Sequence, residues 1–119
     1  MTSLESAIQV RALRALRCVT VTDQALACMV KASIPLADFV GERGQGLGYS
    51  RRPVSQLSAE DDLMWLIRVG VLRREVDGQG ITDRFRLTPL GLKIYNGLDR
   101  TPAHPLEQGY DWLLRRLPY

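Results

Sequence analysis

At 119 residues the chain has the length of one domain with a single core. Apolar residues make up 45% and charged residues 24%, as in an ordinary globular protein. No apolar run nears the roughly 20 residues that span a bilayer, and no basic segment with an unbroken hydrophobic core opens the chain, so the expected setting is cytoplasmic and no membrane contact is expected. Two cysteines and one histidine are too few for a disulfide scaffold or a recognised metal-ligand spacing. No nucleophile with a base, and no pair of carboxylates opposed across a cleft, can be assembled, so neither catalysis nor a cofactor is expected.

The net charge is +3, carried by 14 arginines against two lysines. Arginine favours bidentate contacts to phosphate or carboxylate, which points mildly to a nucleic-acid or acidic partner. The charge is spread thinly: +1 over residues 1–40, +2 over 41–100 and zero over 101–119.

Thr2 and Glu5 have capping-box spacing, and Leu4, Ile8, Ala12 or Leu13, and Leu16 fall along one side of a first helix ending near Arg17 or Cys18. Arg11, Arg14 and Arg17 lie on another side, a row that is commonly solvated or paired with neighbouring carboxylates, with phosphate contact as the alternative. After a β-branched stretch from Cys18, Thr22 or Asp23 caps a second helix through Ala25, Leu26, Met29 and Val30. Pro35 opens a short helix through Leu36, Phe39 and Val40, with Phe39 expected as a core anchor. Cys18 and Cys28 read as small buried residues, with a redox pair as the alternative.

Residues 41–52, GERGQGLGYSRR, hold four of the ten glycines and read as the least regular part. Arg43, Arg51 and Arg52 beside Tyr49 are candidates for phosphate contact. The segment matches neither the phosphate-binding loop of nucleotide hydrolases nor a dinucleotide fingerprint. From Ser58 the pattern is helical: Ser58 offers a cap, Glu60, Asp61 and Asp62 suit a helix start, and Leu63, Met64, Leu66 and Ile67 recur at helical spacing up to Gly70. The length of the preceding segment leaves open an earlier start, near Pro53 or Ser55. Trp65, next to the stripe, is expected in the core.

Residues 71–76 and 81–88 alternate as strands about a DGQG turn at Asp77–Gly80. Alternation places Leu72, Val76, Phe85 and Leu87 inside, and Arg73, Glu75, Arg84 and Arg86 outside. Thr88-Pro89 is a cap with an N1 proline, opening a helix through Leu90, Leu92, Ile94, Tyr95 and Leu98. After a connector holding His104, a last helix from Pro105 carries Leu106, Tyr110, Leu113, Leu114 and Leu117 on one side, with Trp112 off the stripe.

Helix, Gly70-Val71-Leu72, ribbon, then Leu87-Thr88-Pro89-Leu90-Gly91 and another helix resembles the winged-helix order of MarR-like and PadR-like bacterial regulators, over about a third of the chain. A fainter likeness is to short, uncharacterised cyanobacterial winged-helix proteins. The first resemblance implies a mainly α (α+β) winged helix-turn-helix with a two-stranded β-hairpin wing and flanking N- and C-terminal helices. It would form one domain over residues 1–119, with its core at 20–98 and the helix 105–117 packed on that core or on a second subunit. It also implies a small transcriptional regulator that contacts DNA phosphates through Arg43, Arg51, Arg52, Arg73, Arg84 and Arg86, and a homodimer through the terminal helices. The three acids at the expected reader-helix start argue for the alternative, a winged-helix protein-protein interaction module that does not bind DNA.

Overall fold

Ala12, Ala15 and Leu16 recur at helical spacing, and this is the stripe that α1 (Ser3–Cys18) buries; Ile8, expected on it, is exposed. The computed structural model describes residues 3–97 and 105–116. The sequence readings at Thr2, Leu98, His104 and Leu117 lie outside the described residues, as do those resting on the side chains of Leu4 and Glu5. Thr22 caps α2 (Asp23–Lys31): its hydroxyl oxygen accepts from the Ala25 N–H at 3.1 Å and the hydroxyl donates to the Gly48 carbonyl at 2.6 Å.

A two-residue strand, β1 (Ile34–Pro35), leads into a 3₁₀ turn at Leu36–Phe39 and then α3 (Gly41–Gly46). Half of this glycine-rich segment, expected to be irregular, is therefore helical. The segment after it is pinned as well: Val21 bridges Ser50, and the Ser50 hydroxyl donates to the Phe39 carbonyl at 2.7 Å.

The next helix, α4 (Gln56–Arg68), starts before Ser58. Its cap is Ser55, whose hydroxyl oxygen accepts from the Ser58 N–H at 3.1 Å. Glu60, Asp61 and Asp62 thus lie beyond the first turn, where the helix dipole has faded and no longer accounts for them. The C-terminus follows the Schellman pattern, with Gly70 N–H to Ile67 O at 3.0 Å and Val71 N–H to Leu66 O at 2.9 Å. Gly70 has φ +89°, a conformation that glycine adopts without a Cβ penalty.

The expected hairpin follows as β2 (Leu72–Asp77) and β3 (Gly80–Leu87), paired antiparallel with Leu72 opposite Leu87 and Asp77 opposite Gly80. The pairing slips between Arg74 and Val76. β1 adds to the other side of β3, with Ile34 opposite Phe85, giving a three-stranded sheet in the order β1-β3-β2. Val76 does share the face of Leu72, but it stands about 13 Å further along the strand, past the core, and is 63% exposed. Thr88 caps α5 (Pro89–Asn96) by accepting from the Gly91 N–H at 2.9 Å, and its hydroxyl reaches the carbonyls of Gly70 and Val71.

The core joins α1, α2, α4, the sheet and Ile94 of α5, with Phe39 buried edge-on against Phe85 and Trp65 buried as expected. The fold is mixed α+β and mainly helical, with six helices and the three strands among the described residues.

The last helix, α6 (Pro105–Arg116), reverses its predicted orientation. Leu106, at 80% exposure, Tyr110 and Leu113 face outward, whereas Asp111 is only 1% exposed. Leu114 alone of the expected stripe among the described residues packs partly against the core.

Candidate functional site

Asp62 and Asp111 organise the junction of α1, α4 and α6. Asp62 sits on the buried side of α4 and accepts from the Thr20 N–H at 3.1 Å and the Thr20 hydroxyl at 2.8 Å. Its other oxygen accepts from Arg115 Nη1 at 2.9 Å, and the same nitrogen donates to Asp61 at 2.8 Å. Asp111 accepts from Trp65 Nε1 at 3.1 Å and faces Arg115 at 3.5 Å and Arg14 at 4.0 Å. Three guanidinium groups, of Arg11, Arg68 and Arg115, lie 5.1–5.9 Å from the Trp65 ring centroid, within cation–π range.

Burial pushes the Asp111 carboxyl above its ordinary range, although the Trp65 hydrogen bond and the charges of Arg115 and Arg14 pull the other way. Burial opposes the charge on Arg115, but hydrogen bonds to Asp62 and Asp61 more than offset it and hold its pKa above the ordinary value. The arginine row of α1 is thus engaged inward at Arg11 and Arg14, while Arg17 lines a cleft beside α6.

The six arginines proposed for phosphate fall in three places. Arg43, on α3, is 2.9 Å from Asp38. Arg51 and Arg52 border the cleft between α4 and α6 and form no ion pair among the described residues. Arg73, Arg84 and Arg86 share the sheet face turned toward the end of α2. There Arg84 donates to the Ser33 hydroxyl at 2.8 Å, and Arg86 is 3.4 Å from Glu75 and 3.5 Å from the Lys31 carbonyl. Arg74, on the opposite face, points to α4, with Nη2 3.3 Å from Met64 Sδ. Arg73, Arg84 and Arg86 therefore do not continue the surface of α4.

The model of the Npun_F0494-like family matches residues 2–115. The chain belongs to that family. No curated protein and no solved structure matches it. Family membership agrees with the fainter of the two sequence resemblances, that to short cyanobacterial proteins.

Within this family member, the outward face of α4 is neither basic nor rich in base-reading groups. It presents Gln56, Leu57, Asp61, Met64 and Arg68, with Glu60 half-buried. Leu57 is 79% exposed. Met64 adjoins Arg74 of the ribbon, whose face continues to Val76 and Ile81; Ile81 is 72% exposed. The sequence pattern places Met64 on the helical stripe and Val76 on the inner face of the ribbon, and singles out neither Leu57 nor Ile81. Their exposure depends on how far α4 and the hairpin project beyond the sheet, which periodicity does not encode. Among the described residues no helix is long and apolar enough to cross a membrane, and no three His, Cys, Asp or Glu residues cluster as metal ligands. Cys18 and Cys28 are half-buried and not joined in a disulfide; a hydrogen bond with Cys28, followed by burial, raises the pKa of the Tyr49 phenol.

On the outer sheet face the Ser33 hydroxyl donates to Glu75 at 2.9 Å. That bond, with Arg86 and Arg84 nearby and against a desolvation effect, holds the Glu75 carboxyl below its ordinary value of 4.5. A carboxyl whose folded pKa is depressed stabilises the fold fully above the unfolded pKa and loses that contribution as pH falls through the folded one. Glu75→Gln is therefore expected to lower the melting temperature at neutral pH, with the gap to wild type closing as pH falls below 4.5 through the folded value. A gap independent of pH would assign its effect to packing. Asp111 has the opposite sign, its raised pKa making stability fall as pH rises from 3.8 through the folded value.

Proposed function

We propose that the chain is a winged-helix module that binds a protein over the outer surface of α4 and its ribbon. The winged-helix reading is supported by the order α2, β1, α3, α4, β2, β3 and by the strand order β1-β3-β2. The observation that carries the protein partner is the outer α4 surface itself. Leu57 and Met64 stand where a groove reader needs polar or basic side chains, the neighbouring Glu60 repels phosphate, and exposed Val76 and Ile81 extend the apolar surface. The partner that fits is an apolar patch with a basic rim.

The test compares proteins captured from the native lysate by wild type and by Leu57→Arg and Ile81→Arg. A partner retained by wild type and lost from both variants, with their melting unchanged, is the expected result. Equal capture by all three overturns the reading.

Exposure of Arg51 and Arg52 just before α4, unpaired among the described residues, favours a second reading: a small DNA-binding transcriptional regulator. It requires salt-dependent binding to a nonspecific duplex, lost in the Arg51→Ala/Arg52→Ala variant. In either reading we propose that Leu106, Tyr110 and Leu113, outward on α6, pair two copies of the chain. Sedimentation at rising concentration reads this directly.

A further inference from the structure

The cleft between α6 and the segment before α4 encloses about 590 Å³, a volume typical of small-molecule sites. Its acids are already neutralised by protein cations. Asp62 and Asp111 bind Arg115 at 2.9 and 3.5 Å, and Asp61 lies 2.8 Å from Arg115 and 3.6 Å from Arg116. What remains uncompensated at the rim is the pair Arg51 and Arg52, both exposed and without an ion pair among the described residues. Arg17 lines the same cleft.

The backbone beneath the arginine pair is held in place. The Arg51 N–H donates to the Thr20 carbonyl at 2.9 Å, the Ser50 N–H to the Gly44 carbonyl at 3.1 Å, and Ser50 bridges Val21. Two guanidinium groups projecting from a fixed backbone suit the several oxygens of a phosphate, because each offers planar, paired donors. On the α6 side stands Trp112, 56% exposed, with the Arg116 guanidinium 5.2 Å from its ring centroid. An exposed indole beside a cationic cleft provides a stacking surface for the rest of the ligand.

We infer that this cleft binds a small phosphorylated molecule, its phosphate on Arg51 and Arg52 and its body against Trp112. The inference is independent of the protein-partner reading, since it uses neither Leu57 nor the ribbon. The same chemistry is offered by a free phosphate anion and by a nucleotide, and the test separates them. The full-length protein is titrated calorimetrically with pyrophosphate and with ADP in buffer of fixed ionic strength, using sulfate as the control anion, while the two indole N–H resonances are followed by NMR.

Saturable binding with a dissociation constant below about 1 mM is expected, weakened at least about tenfold in Arg51→Gln/Arg52→Gln, with sulfate well behind. Movement of the Trp112 indole with ADP, and tighter binding of ADP than of pyrophosphate, identifies the nucleotide as the ligand; equal affinity for pyrophosphate with a still indole keeps the phosphate on the arginine pair and overturns the contact with Trp112. The Arg52→Lys variant retains the charge, and its intermediate affinity would mark paired donation rather than charge alone. No saturation by either probe, undiminished binding by the double variant while its melting is unchanged, or equal binding of sulfate overturns the inference. Binding of duplex DNA through these arginines without either small anion overturns it too, in favour of the regulator reading.

Discussion

Asp62→Ala is expected to lower the free energy of unfolding by about 3–5 kcal/mol, read from urea titrations followed by far-UV circular dichroism. The carboxylate is buried and satisfies the Thr20 N–H, the Thr20 hydroxyl and one nitrogen of Arg115. Alanine would leave both Thr20 donors without that acceptor and remove one of three carboxylates, beside Asp61 and Asp111, from a guanidinium whose Nε already has no hydrogen-bond partner among the described residues. Removing one member of a buried pair costs more than the pair contributes, because the survivor keeps its desolvation penalty. Asp62→Asn keeps the shape and one acceptor, so about 1–2 kcal/mol is expected. A cycle with Arg115→Met measures the coupling. An alanine variant within about 1 kcal/mol of wild type would mean the junction is solvated and its bonds are not what fastens α6.

The second large effect is expected at Gly91. A Cβ there would meet the Val71 carbonyl oxygen at 2.2 Å and Leu87 Cδ2 at 2.9 Å. Val71 belongs to the backbone that closes α4 and receives the Thr88 hydroxyl, so it has little room to yield. Gly91→Ala should therefore cost about 3 kcal/mol by overpacking, in spite of alanine's better helix propensity. Gly46→Ala is the control. It also lies in a helix, nothing stands within 4 Å of its Cβ position, and the change should be neutral or stabilise by up to about 1 kcal/mol. Equal effects at both sites would remove the close α5–α4 approach as the cause.

The stretch from Gly70 to Asn96 could be read from the sequence because each of its signals is local. Gly70 ends a helix through its own φ, the DGQG turn joins two strands it touches, and Thr88 caps the helix it precedes. The sequence leaves the N-terminus of α4 open between Ser58 and a start near Pro53 or Ser55, because both serines are plausible caps and the acids after Ser58 imitate a first turn. The actual partner of Asp62 is Arg115, 53 residues away. β1 has two residues, too few for any period, and its pairing with β3 is wholly tertiary. α3 forms against glycine's propensity because Gly44 packs on the Phe39 backbone, where a Cβ would come within 2.4 Å. For the candidate site, the residue types were legible and their grouping was not. Arg51 and Arg52 were named, but the cleft they border needs Trp112 and Arg116 from α6, whose orientation is set by Asp111 turning in toward Trp65.

That inward carboxylate governs how the last helix can leave. Its separation from the body would hydrate charged groups, a single indole and the partly buried Leu114 rather than a broad greasy seam, so the step should carry a small heat-capacity increment and a shallow denaturant slope. Amide exchange along α6 would then proceed by a subglobal opening that urea barely accelerates and that added salt promotes, well below the free energy of melting the whole molecule.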